Sequence, residues 1–202
     1  METLVKGALA LGVNLTQGQV DEFSLYLDGL GEWNRHISLT SAKALANAEE
    51  VHFLDSLTLV PSIKSHLQHQ QGNLIDVGSG AGFPGIPLKL VMKQLDVVYL
   101  EATRKKANFL TWACNHLKLE NAKVLNARAE EVGHNPDLRE SFDITVARSL
   151  GRLPVVLELT MPFCRVGGIL LMPRGSAAEA EALNAVDLTE ELGGEIVDVD
   201  TS

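Results

Sequence analysis

The sequence predicts an α/β fold with a parallel sheet and a helical N-terminal extension. Three observations carry this prediction: short apolar runs alternate with helical patterns after residue 72, a glycine-rich segment directly follows the first apolar run, and the residues before it have helical periodicity. Alternating strands and helices form right-handed βαβ units whose sheet is buried on both faces. We therefore expect the extension over residues 1–72 and a sheet domain over residues 73–202.

The N-terminal extension is predicted to contain two amphipathic helices. Thr16 and Gln19 have the spacing of a capping box. Apolar residues follow them at three- and four-residue steps, namely Val20, Phe23, Leu27, Leu30 and Trp33. A second helical pattern runs over residues 48–59 and is expected to end at Pro61, and the polar residues 68–73 then form a linker.

The sheet domain is predicted to contain five strands, at residues 74–77, 97–100, 123–126, 144–147 and 169–172. Three helices are expected between them, at residues 86–93, 105–117 and 153–163. Because strands and helices alternate along the chain, the strands are expected to be parallel and the helices to cover both faces of the sheet.

The net charge of −9 at pH 7 belongs to the C-terminal tail. Residues 176–202 contain eight acidic residues and no Lys or Arg, whereas residues 1–175 contain 17 basic and 18 acidic residues. The first 175 residues are therefore nearly neutral, and the net charge does not exclude a polyanionic partner such as a nucleic acid.

Membrane, disulfide and metal chemistry have no support in the sequence. No apolar run approaches the ~20 residues of a membrane-spanning helix, and residues 1–15 lack the basic-then-apolar order of a signal peptide. Cys114 and Cys164 are far apart, and neither lies in a metal-binding pattern. We expect a cytoplasmic protein with no membrane contact, no disulfide and no metal.

The glycine-rich segment at residues 76–85, DVGSGAGFPG, is the motif that indicates chemistry. Glycines between a strand and a helix let the backbone turn sharply and approach a ligand closely, which predicts a nucleotide-like cofactor. A tight connection without a ligand is the structural alternative. Glu101, at the end of the second predicted strand, is expected to accept hydrogen bonds from ribose hydroxyls. NAD enzymes use the same position, so Glu101 does not choose the cofactor.

The spacing of the glycines does distinguish two cofactors. The dinucleotide pattern GxGxxG fails from Gly78, because residue 83 is Phe, and it matches only from Gly80. The series DxGxGxG matches from Asp76 through Gly78, Gly80 and Gly82, and it resembles motif I of class I S-adenosylmethionine-dependent methyltransferases, which have a Rossmann-like sheet. This resemblance implies S-adenosylmethionine as the cofactor, with Asp76 near the methionine amino group.

A narrower resemblance extends over roughly residues 15–175. Its motifs are GSGAGFPGIP (78–87), EATRKK (101–106) and VARS (146–149), preceded by WN (33–34), LTS (39–41) and HFLDSL (52–57). In this order they resemble the bacterial small-subunit ribosomal RNA guanine-N7 methyltransferase family, also called glucose-inhibited division protein B. The resemblance implies methylation of one guanine of small-subunit ribosomal RNA, which we expect to be presented in a ribonucleoprotein particle.

By the same resemblance, the cofactor is contacted by Gly78, Phe83, the Ala129–Glu130 pair and Arg148. Each side chain has a structural alternative: Phe83 plugs the core, Glu130 caps a short helix, and Arg148 forms a surface salt bridge. As a ligand, the planar guanidinium of Arg148 suits either the methionine carboxylate or an RNA phosphate.

The roles of several other polar residues stay open. His52 and Asp55 share a helix face, where they form either an acid–base pair or a structural link to the sheet. Five basic residues either contact phosphates or are only solvated: Lys89, Lys93, Arg104, Lys105 and Lys106. The candidates for reading the guanine edge are Arg148, Arg152 and Arg174. Guanine N7 has a free lone pair and no proton, so no catalytic residue is predicted.

The C-terminal part departs from the family pattern, in which a further apolar strand follows the position of Asp198. Residues 195–199 are predicted as one short strand, and nothing remains for the next. We expect either a truncated methyltransferase domain or a reduced sheet with an open edge. Two other functions stay open, a small-molecule or protein methyltransferase and a non-catalytic RNA-binding assembly factor. The sequence does not define the oligomeric state.

Overall fold

The computed structural model describes residues 1–68 and 70–200. The N-terminal extension contains α1 (Glu2–Ala10), α2 (Gln17–Asn34), α3 (Ala42–Ala46), a π-helix (Glu49–Leu54), α4 (Asp55–Leu57) and α5 (Val60–Leu67). The predicted capping box at the start of α2 is confirmed. The hydroxyl of Thr16 accepts from the backbone N–H of Gln19 at 3.3 Å, and the Gln19 side-chain oxygen accepts from the Thr16 N–H at 2.9 Å.

The sheet has five parallel strands in the order β3-β2-β1-β4-β5. These are β1 (Gly72–Val77), β2 (Leu95–Leu100), β3 (Ala122–Leu125), β4 (Phe142–Val146) and β5 (Cys164–Leu171). The connecting helices are α6 (Gly85–Val91), α7 (Arg104–His116), α8 (Ala129–Val132) and α9 (Leu153–Thr160), with a 3₁₀ turn at Met161–Phe163, and α10 (Ala178–Leu183) and α11 (Val186–Glu191) follow β5. All five predicted strands, and their parallel arrangement, are confirmed.

The central strand β1 sends successive side chains into two different cores. Leu74 lies in the larger core, together with Phe23 and Phe53 of the extension. Ile75 and Val77 point to the opposite face and pack in a smaller core that includes Val156 of α9. This alternation is the normal geometry of a strand buried on both faces. The extension therefore covers one face of the sheet and shares its main core.

An aromatic cluster joins the extension to the sheet domain where α2 packs against α7. The rings of Trp33 and Trp112 lie 5.6 Å apart, and Trp33 meets Phe109 edge-on at 5.7 Å. His116 stacks on Trp112 at 4.6 Å. Gly29 of α2 faces the Trp112 ring and leaves no room for a side chain there. The cluster fixes the distance between the two helices.

The second predicted helix of the extension is confirmed over residues 48–57, but its hydrogen bonding and its end differ from the prediction. Most of it is the π-helix, which runs directly into the single turn α4, and residues 58–59 form a turn. Pro61 does not end a helix but lies in the first turn of α5. A proline is favourable there because the first N–H groups of a helix have no intrahelical acceptor.

The predicted strand at residues 195–199 is also wrong. These residues have no regular structure, and Val197 is 84% exposed. An alternating pattern forms a strand only beside a partner, and within the described residues β5 pairs with β4 alone. The helices α8, α10 and α11 had not been predicted. Of the linker at residues 68–73, the last two belong to β1; His69, Thr201 and Ser202 lie outside the described residues.

Three further features bear on the expectations from composition. No helix in the part of the chain that the structure describes has the length and apolar character needed to cross a bilayer. Cys114 is buried, Cys164 is half-buried, and both are free thiols. Among residues 1–68 and 70–200, no three His, Cys, Asp or Glu side chains are arranged to hold a metal ion.

Two glycines of α2 give a matched test of this packing. We predict that Gly29→Ala lowers the free energy of unfolding by about 1–3 kcal/mol, because its Cβ would overlap the Trp112 ring. Gly31→Ala, with open space around its Cβ, should raise it by up to ~1 kcal/mol through helix propensity. Urea unfolding of both variants measures the difference. Equal changes in the free energy of unfolding would contradict close packing of Gly29 against Trp112.

Candidate functional site

The predicted site residues lie at the carboxyl ends of four adjacent strands. The glycine-rich turn follows β1, Glu101 follows β2, Ala129 and Glu130 follow β3, and Arg148 follows β4. In the sheet these strands are neighbours in the order β3-β2-β1-β4. Ligands of open α/β sheets bind in the crevice at this edge. The structure thus brings all the predicted positions to one edge of the sheet.

The glycine-rich turn is held by backbone hydrogen bonds to β2. The N–H groups of Gly78 and Ser79 both donate to the Leu100 carbonyl, at 2.8 and 3.1 Å. Gly78 has φ +72° and Gly80 has φ +59°, which are left-handed conformations that favour glycine. A Cβ on Gly78 would also overlap the side chain of Leu150. The turn therefore requires glycine for its shape, as the motif predicts.

Glu101 is buried at the edge of the turn, with 6% of its surface exposed. One carboxylate oxygen accepts from the Gly80 N–H at 2.9 Å, and the other accepts from the Thr103 N–H at 2.7 Å. Each carboxylate oxygen has a second lone pair. The carboxylate therefore fixes the turn and still has acceptor capacity for a ribose hydroxyl.

Asp76 lies beneath the turn and is completely buried. Its Oδ2 accepts from the Gly85 N–H at 3.0 Å. Its Oδ1 has no hydrogen-bond partner, and neither has the hydroxyl of Tyr99. Burial raises the pKa of Asp76 to about 7. In this structure Asp76 holds the start of α6; its predicted contact with the methionine amino group stays a prediction.

Phe83, the first large side chain after the glycines, is 5% exposed and packed among rings from the extension. Its ring stacks on His52 at 4.4 Å with 16° between the ring planes, and it meets Tyr26 at 5.5 Å. The hydroxyl of Tyr26 donates to the Ala81 carbonyl within the turn. Phe83 is thus a core residue, as its structural alternative proposed, and its contact with a cofactor stays a prediction. No sequence signal pointed to Tyr26.

Arg148 forms a salt bridge, but not at the surface, since its side chain is only 12% exposed. Its Nη1 donates to Asp55 Oδ2 at 2.6 Å and to the Val51 carbonyl at 3.0 Å. Its Nη2 lies 2.9 Å from Nδ1 of His52. The guanidinium also stands over the Phe83 ring, 5.1 Å from its centre, a favourable cation–π geometry. The predicted structural link between His52, Asp55 and the sheet is confirmed by these contacts.

Ala129 and Glu130 lie in the first turn of α8, and the Glu130 side chain is exposed. Arg128 occupies the N-cap position, and Glu130 makes only a 3.5 Å ion pair with it. A carboxylate in the first turn stabilises a helix through its dipole. Glu130 makes no capping hydrogen bond, so the capping alternative is wrong as stated, and its carboxylate is exposed at the end of β3.

Two of the five basic residues expected near phosphates are placed elsewhere. Lys89 is buried and donates to the carbonyls of Lys93 and Leu95 at the end of α6, at 2.8 and 2.5 Å. Lys93 pairs with Glu22 at 2.5 Å. Both lie toward the amino ends of the strands, so their predicted phosphate contacts are not supported. The basic residues of the first turn of α7, Arg104, Lys105 and Lys106, remain at the carboxyl edge.

The other two arginines predicted to read the guanine edge, Arg152 and Arg174, differ in whether their side chains are already bound within the protein. Arg174 is bound to Glu181 at 2.5 Å and to the Gly151 carbonyl at 2.9 Å. Arg152 is exposed at the start of α9.

A shallow hollow lined by Asn73, Asp96 and Lys123 lies at the opposite, amino edge of the sheet, away from the glycine-rich turn.

Comparison with known proteins identifies the family of this chain. A family profile described as rRNA small subunit methyltransferase G matches residues 19–201. The chain belongs to this family. The Ribosomal RNA small subunit methyltransferase G of Acetivibrio thermocellus is 43% identical over 199 residues, covering 97% of this chain and 79% of the relative. The protein of the same name from Caldanaerobacter subterraneus subsp. tengcongensis is 42% identical over 202 residues, covering 98% and 82%.

Solved structures confirm the fold. The precorrin-6y methyltransferase of Geobacter metallireducens matches with a TM-score of 0.50 at 19% identity, over 72% of each chain. TYW2 of M. jannaschii, solved in complex with AdoMet, matches with a TM-score of 0.51 at 16% identity, over 69% of this chain and 64% of that chain. The predicted α/β methyltransferase fold is therefore correct.

Membership of the rRNA small subunit methyltransferase G family confirms the resemblance found from the motifs. The chain is an S-adenosylmethionine-dependent rRNA methyltransferase. The residues present fit this cofactor: the turn at Gly78 and Gly80 is free of side chains of its own, Glu101 retains acceptor capacity, and the buried Oδ1 of Asp76 has no partner. The individual contacts stay predictions.

The buried carboxyl group of Asp76 leads to a prediction about pH. The pKa of this carboxyl group is about 7 in the folded protein and 3.8 in the unfolded chain. The folded state therefore favours the protonated form. This contribution to the free energy of unfolding is fully present below pH 3.8 and is lost as the pH rises toward 7. Asp76→Asn removes this dependence. We expect the wild-type protein to lose about 2–3 kcal/mol more unfolding free energy between pH 5 and 7 than Asp76→Asn does.

Urea unfolding at each pH measures this difference, and Asp28→Asn, on the exposed side of α2, is the matched control. Parallel pH profiles for the wild-type protein and Asp76→Asn would show that the carboxyl group is ionised in the folded state.

Proposed function

We propose that this chain transfers the methyl group of S-adenosylmethionine to N7 of a guanine in small-subunit ribosomal RNA, with the cofactor lying along the carboxyl edge of β3, β2, β1 and β4. One observation carries the residue assignment. The predicted contacts follow four neighbouring strands in the order in which adenine, ribose, sulfonium and methionine carboxylate follow each other in the cofactor.

In this arrangement each strand end holds one part of the cofactor. Ala129 and Glu130 lie beside the adenine edge, and Glu101 accepts from the ribose hydroxyls. The turn formed by Gly78, Gly80 and Gly82 would hold the part that carries the sulfonium, and Asp76 supports this turn through its hydrogen bond to the Gly85 N–H, with Phe83 packed in the core behind it. Arg148, at the end of β4, then binds the methionine carboxylate.

The hydrogen bonds of Arg148 support this last assignment. A guanidinium has five N–H groups, and the contacts with Val51, His52 and Asp55 use both N–H groups of Nη1 and one of Nη2. The N–H of Nε and the second N–H of Nη2 have no acceptor within the described residues. Nε and Nη2 lie on the same edge of a guanidinium, so in this proposal the two groups form the side-on fork that binds a carboxylate with two parallel hydrogen bonds.

Methyl transfer to guanine N7 requires that the two reactants be positioned, and it requires no proton transfer. When bound, the cofactor supplies a methyl group on a positively charged sulfur. Guanine N7 carries a lone pair and no proton, so the chain needs no general base, and we assign no catalytic residue. Its residues hold the attacking nitrogen in line with the methyl group, and such positioning contributes up to roughly 7–11 kcal/mol in well-oriented systems.

The substrate is expected to be a ribonucleoprotein particle in the cytoplasm. The first 175 residues are nearly neutral and the acidic residues lie in the tail, so RNA approaches at the carboxyl edge, near the basic first turn of α7. A patch this small neutralises few phosphates and gives weak affinity for naked RNA. Recognition then depends on the shape of a folded particle that exposes the guanine.

The direct test uses purified protein, S-adenosylmethionine and small-subunit particles from a strain that lacks this gene. Mass spectrometry of the nucleosides is expected to show one additional 7-methylguanosine per particle. A methyl group on another atom or no methylation would contradict the proposal, and methylation of a small molecule or protein in place of the RNA would do the same.

Arg148→Lys tests the carboxylate contact. Lysine keeps the positive charge and reaches Asp55, but it lacks the fork, so we expect S-adenosylhomocysteine to bind roughly tenfold more weakly. Arg139→Lys is the matched control, because Arg139 is exposed and makes only two long contacts, a 3.4 Å ion pair with Glu140 and a 3.3 Å hydrogen bond to the Gly133 carbonyl. Isothermal titration calorimetry measures both, and equal affinities in the two variants would exclude this role of Arg148.

The substrate proposal predicts a weak dependence of methylation on salt. If few phosphates are neutralised, the logarithm of kcat/KM on particles should fall with the logarithm of salt concentration with a slope shallower than about −3. Protein-free RNA and a short unstructured oligonucleotide should be poorer substrates than particles across the same series. Comparable rates on the oligonucleotide, or a steep slope, would contradict recognition of a folded particle.

A further inference from the structure

We propose that His52 is a positioning residue of the methyl-transfer site: its Nδ1 atom holds the Arg148 guanidinium so that the Nε–Nη2 fork faces the methionine carboxylate. This inference rests on the proposed function and extends it to the N-terminal extension. The observation that carries it is the placement of one imidazole ring between Arg148, Phe83 and Thr40.

One face and both nitrogens of the His52 ring have contacts. The ring is 7% exposed, and one face stacks on Phe83, with centroids 4.4 Å apart. Nδ1 lies 2.9 Å from Nη2 of Arg148, and Nε2 lies 2.8 Å from the hydroxyl of Thr40. Two hydrogen bonds and a stacking contact leave the ring one orientation.

The hydrogen bonds also define the protonation state of the ring. A guanidinium only donates, so Nδ1 must accept and the single ring proton sits on Nε2, directed at Thr40. The charged groups that face His52 are Arg148 and Asp55, while Thr40 and Phe83 are neutral. Burial, and secondly the charge of Arg148, lower the pKa of His52 to about 4. The acceptor is therefore present at neutral pH.

The acceptors of Arg148 come from a single turn of the extension. Val51 and His52 belong to the π-helix and Asp55 begins α4, so carbonyl, imidazole and carboxylate all reach Nη1 and Nη2 from this one segment. One edge of the guanidinium, formed by Nη1 and Nη2, therefore contacts the extension, whereas on the other edge, formed by Nη2 and Nε, the N–H of Nε has no acceptor within the described residues. His52 decides the rotation of the guanidinium, because it is the partner of Nη2, the nitrogen shared by both edges.

Two substitutions distinguish the effect of the Nδ1 acceptor from the effect of the stacked ring. His52→Phe keeps the stacking on Phe83 but removes the acceptor, whereas His52→Asn places an amide oxygen near the position of Nδ1. We expect S-adenosylhomocysteine, measured by calorimetry, to bind roughly tenfold more weakly to His52→Phe and within about threefold of wild type to His52→Asn. His116→Phe is the matched control, because His116 stacks on Trp112 far from the site.

A double-mutant cycle tests whether His52 acts through Arg148. In the Arg148→Lys background, His52→Phe should weaken binding of S-adenosylhomocysteine no further. Circular dichroism and thermal unfolding establish that each variant is folded. Full weakening by His52→Phe in this background would overturn the proposal, as would wild-type affinity of the single variant.

The contact itself can be measured without any cofactor. In the wild-type protein, the NMR signal of the His52 ring should titrate near pH 4. In Arg148→Gln its midpoint should move up because the neighbouring positive charge is removed, while burial of the ring still keeps it below 6.5. A midpoint that Arg148→Gln does not change would overturn the contact. If the midpoint moves while wild-type protein fails to bind S-adenosylhomocysteine, the contact stands and the proposed function fails.

Discussion

Two buried carboxyl groups hold the backbone on which the site depends. Four of the eight residues at 78–85 are glycines, which have no side chains to pack, so much of the shape of the turn must come from hydrogen bonds to its N–H groups. Glu101 binds the N–H of Gly80 and Asp76 binds that of Gly85, so one acid fixes the first half of the turn and the other fixes its junction with α6. Both acids stand at the ends of the paired strands β1 and β2, and the strand register therefore sets the geometry of the turn.

The N-terminal extension contacts both the glycine-rich turn and Arg148, and so contributes to the site formed at the edge of the sheet. Tyr26 binds the turn from α2, Phe53 packs within the same aromatic group as Phe83, and the turn around His52 receives Arg148 from β4. These contacts reach residues that follow two neighbouring strands, β1 and β4, so the extension covers the core and supports the site at the same time. Loss of the extension would expose the main core and leave Arg148 without its three acceptors.

Much of this organisation was readable in the sequence, for physical reasons. Strands buried on both faces appear as short apolar runs, and the glycine spacing after the first run reports a backbone shape that few other residues allow. The π-helix was not predicted, since its apolar periodicity resembles that of an α-helix. The false strand at residues 195–199 shows that alternation alone does not supply a pairing partner. The role of Phe83 depends on long-range packing against the extension, and Tyr26 carries no local signal at all. The role of Lys89 depends on carbonyls just past its own helix, which its charge alone does not predict.

The aromatic cluster between α2 and α7 gives the protein a built-in optical reporter. The chain contains only two tryptophans, and Trp33 and Trp112 lie together at this junction. Intrinsic fluorescence therefore describes the seam between extension and sheet domain rather than an average over the molecule. Separation of the extension would change emission while far-ultraviolet circular dichroism still records intact strands. Comparing the two signals during unfolding distinguishes undocking from loss of the whole fold.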